Sequence, residues 1–245
     1  MIVLALTTFQ RKEMKFLISE EQMNLLLKEI GNEFVYDEFC KNGTWYLIRN
    51  IYLDTEENQL IHLSIMKPTY KEKIRIRKYG YYNDQKDVYF LEMKKKAQGI
   101  VFKRRILFSK EELETFLKTK KVLTSHNAFS KQVMNEFIYL FQQHELLPKL
   151  FLTYERLALK GKNGPTLRMT FDRNILTRRA DFDFDKEGGE SLLKEHQIIM
   201  EIKFENAMPL WLAHLLATHH IYKTSFSKYG QEYQKYVLEK RSCRI

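Results

Sequence analysis

Lys71, Lys73, Arg75, Arg77 and Tyr79 recur at every second position of a short segment that closes at Gly80. At the two-residue period of a strand they share one face, while Glu72, Ile74, Ile76 and Lys78 share the other. Like charges stacked along a strand repel, so the row is stable only facing water or a strongly anionic group. Phosphate suits it: Arg forks grip phosphate oxygens in pairs and Lys supplies compact point charge. Such a row could bind a run of phosphates.

The same phase returns along the chain. Segments 11–17, 71–79, 90–96, 101–107, 154–158, 166–172 and 199–205 each set an apolar-leaning face against one carrying Arg, Lys or Glu. Helical segments with apolar stripes lie between them, and the apolar strand faces are their natural partners. The expected fold is α+β: an antiparallel sheet closed into a β-barrel, with helices packed on its outside. Closure would turn the charged faces inward to line a basic lumen. Like charges in that space destabilise one another until a polyphosphate or nucleoside triphosphate enters. Glu13, Glu92 and Glu201 stand among the cations, where a carboxylate either pairs with a Lys or, bridged by a divalent metal, meets phosphate. Glu201 is the strongest metal candidate of the three.

The elements follow from local signals. Thr8 to Ile18 alternates as a strand, and Ser19 with Gln22 forms a capping box for a helix to about Gly31. Trp45 to Leu53 reads as a strand and 56–66 as a short helix or loop. Strands follow at 71–79, 87–96 and 100–108, with turns at 81–86 and Gly99. Ser109 and Glu112 box a second helix, and a third covers about 128–144. Strands at 149–160 and 166–172 flank a hairpin turn at 161–165. The loop 181–191 is expected to be a mobile connection. A strand at 197–205 and helices from Pro209 and Ser227 complete the chain. No repeat or linker interrupts this order, so 1–245 is expected to be one domain with its core at about 9–237.

Composition bounds the partner. The chain has 245 residues, 44% of them hydrophobic, enough for a substantial core, and a net charge of 41 − 31 = +10 that points to an anionic ligand. Cys40 and Cys243 have no metal-type spacing and fit a reducing compartment, so a cytoplasmic location is expected. Met1 to Leu6 lacks a basic leader, and no run reaches the ~20 apolar residues of a membrane span. His219-His220 lacks a third metal partner, and Trp45 and Trp211 read as packing residues. The strand phase of the cations argues against a single-stranded nucleic-acid platform, where exposed aromatic faces stack bases.

Several ordered motifs resemble a known family: Arg11 to Phe16, Ile51-Tyr52-Leu53-Asp54-Thr55, Lys73 to Arg77, Phe90 to Lys94, Lys103-Arg104-Arg105, Tyr154-Glu155-Arg156, Leu167 to Asp172, Met200 to Phe204 and Ser227-Lys228-Tyr229. Their order and phase resemble the VTC domain, the polyphosphate polymerase domain of the vacuolar transporter chaperone complex, within the triphosphate tunnel superfamily. The resemblance implies a closed barrel that holds a triphosphate with Mn²⁺ or Mg²⁺ and moves the γ-phosphate of ATP onto inorganic polyphosphate. It implies catalytic roles for Arg75, Arg77, Lys94, Lys103, Arg168 and Lys228. Arg11, Lys15, Lys73, Arg105, Tyr154, Arg156, Lys203, Ser227 and Arg178 or Arg179 would contact substrate. Glu201 would bind the metal. Hydrolytic members of the superfamily carry Glu-x-Glu-x-Lys on the first strand, where this chain has Arg11-x-Glu13-x-Lys15, as in the polymerase branch. Hydrolysis of tripolyphosphate or a nucleoside triphosphate in the same tunnel is the alternative chemistry, and a non-catalytic polyphosphate-binding module the alternative class. A membrane-protein partner is compatible with the resemblance; the oligomeric state is not legible.

Overall fold

A computed structural model describes residues 11–80, 88–98, 100–162 and 166–242. The expectations for Met1 to Leu6 and residues 8–10, the turns at 81–86, Gly99 and 163–165, and the tail from Cys243 lie outside the described residues, as does the side chain of Arg11.

In chain order the elements are β1 (Arg11–Ser19), α1 (Glu20–Glu29), β2 (Phe34–Tyr36), a 3₁₀ turn (Glu38–Gly43), β3 (Tyr46–Asp54), α2 (Gln59–Ile65), β4 (Tyr70–Tyr79), β5 (Tyr89–Ala97) and β6 (Ile100–Phe108). They continue with α3 (Lys110–Thr119), α4 (Ala128–Gln143), β7 (Leu147–Gly161), β8 (Arg168–Arg178), β9 (Glu190–Ser191), β10 (Gln197–Glu205), α5 (Leu210–Thr218), β11 (Lys223–Thr224) and α6 (Lys228–Ser242). The local signals explain the helix starts. Ser19 accepts from the Gln22 amide while the Gln22 side chain accepts from Ser19 N–H, and Ser109 and Glu112 repeat the device at α3. The N-cap Asn58 of α2 makes no side-chain cap. The Gln59 amide donates to the Thr55 hydroxyl, and those of Leu60 and Ile61 to the buried Asp54 carboxylate at the end of β3.

Two compact units share the chain, each built from separate stretches. One comprises Met1–Tyr46, Glu155–Arg173 and Leu193–Phe226; the other comprises Leu47–Tyr154, Asn174–Leu192 and Ser227–Ile245. Within the first, the strand order is β11-β1-β10-β8-β7, with β2 on β7; within the second it is β8-β7-β3-β4-β5-β6, with β9 on β8. Every pairing between registered strands is antiparallel. In the first unit the apolar faces of β1, β8 and β10 (Phe16, Phe171, Ile202) pack on Leu26 of α1 and Leu212 of α5. In the second, Ile76, Leu91 and Phe108 of β4 to β6 pack on Phe116 of α3 and Phe137 of α4. Burying these faces leaves the charged faces of the same strands available for a polar site.

The expected closed barrel is corrected. The hydrogen-bonded path of the described strands ends at β11 and at β6 and does not close. Both ends carry devices that protect a free sheet edge: β11 is two residues long, and β6 carries Lys103, Arg104 and Arg105. The loop 181–191, expected to be mobile, is tied down. Arg178 donates to the carbonyls of Asp181, Asp183 and Gly188, and the buried Arg49 donates to that of Phe184.

Candidate phosphate site

In the second unit the register aligns side chains across three strands. Lys73, Lys94 and Lys103 form one row; Arg75, Glu92 and Arg105 form the next, two residues along. Opposite Arg75 on β3 stands Tyr52, and opposite Arg77 stands Asn50. The expected cationic face is therefore a grid with one carboxylate at its centre.

Glu92 is 3% exposed in its side chain, and cations engage both its oxygens. Arg75 reaches Oε2 at 2.7 Å and Arg77 at 3.8 Å; Arg105 reaches Oε1 at 2.9 Å and Lys103 at 3.1 Å. Burial alone would raise its pKa. Arg75, Arg77, Lys103 and Arg105 together outweigh that and hold the carboxyl well below the ordinary carboxylate range. One negative charge among four positive ones leaves the grid strongly cationic. Its consequence is visible at Lys103, whose ammonium is held below its ordinary value by burial and by Arg105 and Arg75, against the pull of Glu92.

Neutral groups fix the guanidinium orientations. Arg77 donates to Asn50 Oδ1 at 2.8 Å and to the Tyr154 hydroxyl at 3.3 Å, and Arg105 donates to the Tyr79 hydroxyl at 2.7 Å while lying 3.9 Å over Phe90. Arg75 donates to the Tyr52 hydroxyl at 3.3 Å. Helix α6 closes one side of the grid. Lys73 donates to Ser227 Oγ at 2.8 Å, Ser227 in turn accepts from the Gly230 amide, and Lys228 lies 4.4 Å over the Tyr154 ring. Lys94 is exposed.

Tyr52 is a built-in reporter of this field. Burial pushes a phenol up, but Arg75, Lys73 and Arg77 more than cancel it and lower the Tyr52 pKa to about 8. Its folded pKa lies below the ordinary value near 10, so ionisation favours the folded protein as pH rises through that window. Ultraviolet difference titration should find a tyrosinate forming near pH 8 that is absent from Tyr52→Phe. Added tripolyphosphate should move the transition to higher pH by neutralising the arginines; an unmoved transition would mean that the anion binds elsewhere.

Arg178 and Arg179 both have protein partners. Besides its three carbonyls, Arg178 stacks 3.6 Å over Phe151. Arg179 holds Glu232 of α6 with two contacts of 2.7 Å, donates to Asn58 and lies 3.8 Å over Tyr236. Arg179 thereby anchors the helix that presents Ser227 and Lys228.

The first unit has its own charged face. Lys15 pairs across strands with Glu201, and Glu13 with Lys203, with Thr170 and Arg168 next in the rows. Lys203 Nζ lies 2.5 Å from Glu201 Oε1, and Lys15 lies 3.6 Å from Glu201 and 3.2 Å from Glu13. Burial opposes the Glu201 charge, yet Lys203, Lys15 and Arg156 hold its pKa well below the usual range. Arg156 is bidentate on buried Asp172 at 2.6 and 2.8 Å, and Arg168 reaches Asp37 at 2.5 Å. Asp37 and Asp172 were not among the expected site residues; nor were Tyr52 and Asn50. The last two had a signal, since Asn50, Tyr52 and Asp54 alternate along a strand in which Arg49 is the one other charged residue.

Among the described residues no group of three or more His, Cys, Asp and Glu side chains is placed to hold a metal. Glu201 and Glu13, on adjacent strands, offer hard carboxylate oxygens. That set fits an ion such as Mg²⁺, which commonly takes one or two carboxylates and completes its shell with water and substrate phosphate.

No curated protein matches the chain in sequence. Among solved structures it is similar to a candidate adenylate cyclase from Bacillus halodurans, at 16% identity and a TM-score of 0.49, over 89% of this chain and 95% of that one. The VTC domain family matches residues 10–237. Nearly every strand and helix described above falls inside that span, and the chain belongs to the VTC domain family.

Proposed function

We propose that this chain is a phosphotransferase that moves the γ-phosphate of ATP onto an inorganic polyphosphate chain. The observation that carries the reading is the grid of Lys73, Lys94, Lys103, Arg75 and Arg105 about the single carboxylate Glu92. Cations so arranged match a run of phosphates better than an isolated anion. A terminal oxygen of the polyphosphate attacks the γ-phosphorus, the bond to the β,γ-bridging oxygen breaks, and ADP leaves. No side-chain nucleophile is required. The protein contributes alignment and charge neutralisation, which bring two mutually repelling polyanions together.

In this reading Arg75, Arg77, Lys94, Lys103 and Arg105 hold phosphate oxygens, with Lys73 and Lys228 at the α6 end. Tyr154 orients Arg77, and Arg179 acts on the site through α6. Glu92 is the counter-charge that keeps the grid folded rather than a metal ligand. In the first unit Glu201 and Glu13 would hold a divalent ion, whose chemistry when bound is to neutralise negative charge. Lys15 and Lys203 neutralise those carboxylates in its absence. Arg156 and Arg168 serve the first unit through Asp172 and Asp37.

Incubating the protein with ATP and Mn²⁺, with and without a short polyphosphate primer, and resolving the products on a gel tests the proposal. Polymer that lengthens as ADP accumulates is the expected result. Orthophosphate release without polymer would replace transfer with hydrolysis, and intact ATP would replace both with binding.

A further inference from the structure

The β5–β6 hairpin carries a surface that phosphate chemistry does not explain. Ile100, Val101 and Phe102 are consecutive and exposed, at 58%, 51% and 45%. Successive strand residues point to opposite faces, so Ile100 and Phe102 share one face and Val101 lies on the other. Tyr70 of β4, half-exposed, stands opposite Ala97, which stands opposite Ile100, and this row carries the apolar patch across three strands.

Behind this apolar end the cross-strand rows turn cationic: Lys71, Lys96 and Val101 on one face, Glu72, Lys95 and Phe102 on the other. Glu72, the one acid in these rows, is buried and accepts from the Tyr70 hydroxyl at 3.0 Å, so Lys71, Lys95 and Lys96 remain in excess. Burial, followed by Lys96, Lys67 and Lys94, holds the Lys71 ammonium below its ordinary value, as expected in a crowd of like charges.

We propose that this hairpin end docks on a lipid bilayer containing anionic headgroups, with Ile100, Val101 and Phe102 entering the interface and Lys71, Lys95 and Lys96 meeting headgroup phosphates. Apolar side chains backed by a basic collar are the combination that binds such a surface, through buried apolar area together with attraction to anionic lipid. Soluble polyphosphate would satisfy the lysines and leave three adjacent apolar residues against water. The inference stands on the hairpin alone and does not require the chain to be a phosphotransferase.

Flotation of the full chain with vesicles of phosphatidylcholine, or of phosphatidylcholine mixed with phosphatidylserine, tests it. The chain should float with the mixed vesicles, not with the neutral ones, and less as salt rises. The variant Ile100→Ser/Val101→Ser/Phe102→Ser and the variant Lys95→Glu/Lys96→Glu should each lower partitioning by about tenfold or more. Circular dichroism and tripolyphosphate affinity of the serine variant should stay unchanged, which separates loss of docking from loss of fold. Equal flotation with both vesicle types, flotation with neither, or a serine variant that floats like wild type would each overturn the proposal. So would loss in the lysine variant alone, which would mean anion binding without insertion. A concentration-dependent dimer abolished by the serine substitutions would assign the patch to a second copy of the chain instead.

Discussion

Replacing Arg75 with alanine is expected to lower kcat/KM for ATP-dependent polymer formation by about 30-fold to 900-fold, equivalent to about 2 to 4 kcal/mol of transition-state stabilisation. Arg75 stands on β4 between Tyr52 of β3 and Glu92 of β5, with its guanidinium aimed by a 2.8 Å bond from Nε to Glu92 and a 3.3 Å bond to the Tyr52 hydroxyl. A donor fixed before substrate arrives costs no reorganisation when charge shifts on the phosphoryl group, which is why its removal is felt in the rate. The fold should survive, because Glu92 retains Arg77, Arg105 and Lys103. Arg75→Lys should recover only part of the loss, since a point charge cannot make the paired contacts of a fork. Near-normal turnover of Arg75→Ala with full helical and strand content would remove Arg75 from the mechanism.

Glu92→Gln is expected to act on stability rather than directly on the reaction. Removing the one carboxylate leaves four cations facing one another, and breaking a buried ion pair from one side typically costs about 3 to 5 kcal/mol. The lower part of that range is expected, because Lys103 and Arg105 are 52% and 37% exposed and water screens them. Arg77, at 7%, has no such relief. Urea denaturation at low salt should show the loss, and tripolyphosphate should restore part of it by returning negative charge to the grid.

The pH dependence follows from the same group. Its folded pKa is depressed, so its stabilisation is complete above the unfolded value near 4.3 and disappears as pH falls from there toward the folded value. The wild-type advantage over Glu92→Gln should therefore shrink steadily below about pH 4. A Gln variant as stable as wild type at neutral pH would show that the arginines are held apart by other means.

How far the site was legible follows from where its information lies. The phase of Lys73, Arg75 and Arg77 on β4, of Glu92 and Lys94 on β5 and of Lys103 and Arg105 on β6 is local, and the two-residue period places each on the correct face. The capping boxes at Ser19 and Ser109 are local too, and the helices begin where they stand. Tyr52 and Asn50 were harder to read because β3 is buried on both faces after its first residue, so hydrophobicity does not alternate there and only the polar residue types at Asn50, Tyr52 and Asp54 mark their face. Counter-charges distant in the chain were equally invisible: Arg168 meets Asp37 across 131 positions, and Arg179 meets Glu232 across 53. Barrel closure was inferred from the strand faces and from the family resemblance, whereas it depends on whether two edges meet, which no strand reveals by itself. The two-unit division was hidden by its discontinuity, since β7 and β8 run through both units without a break in composition.

Calorimetric titration of tripolyphosphate into the wild-type chain and into Lys94→Ala and Arg105→Ala examines the grid most directly. Binding that weakens by about tenfold to a hundredfold in each variant, as expected for a lost hydrogen bond to a charged group, and that weakens further with salt, is the predicted result. Equal affinity in all three proteins, or no binding to the wild type, would mean that the face built by β4, β5 and β6 does not hold phosphate.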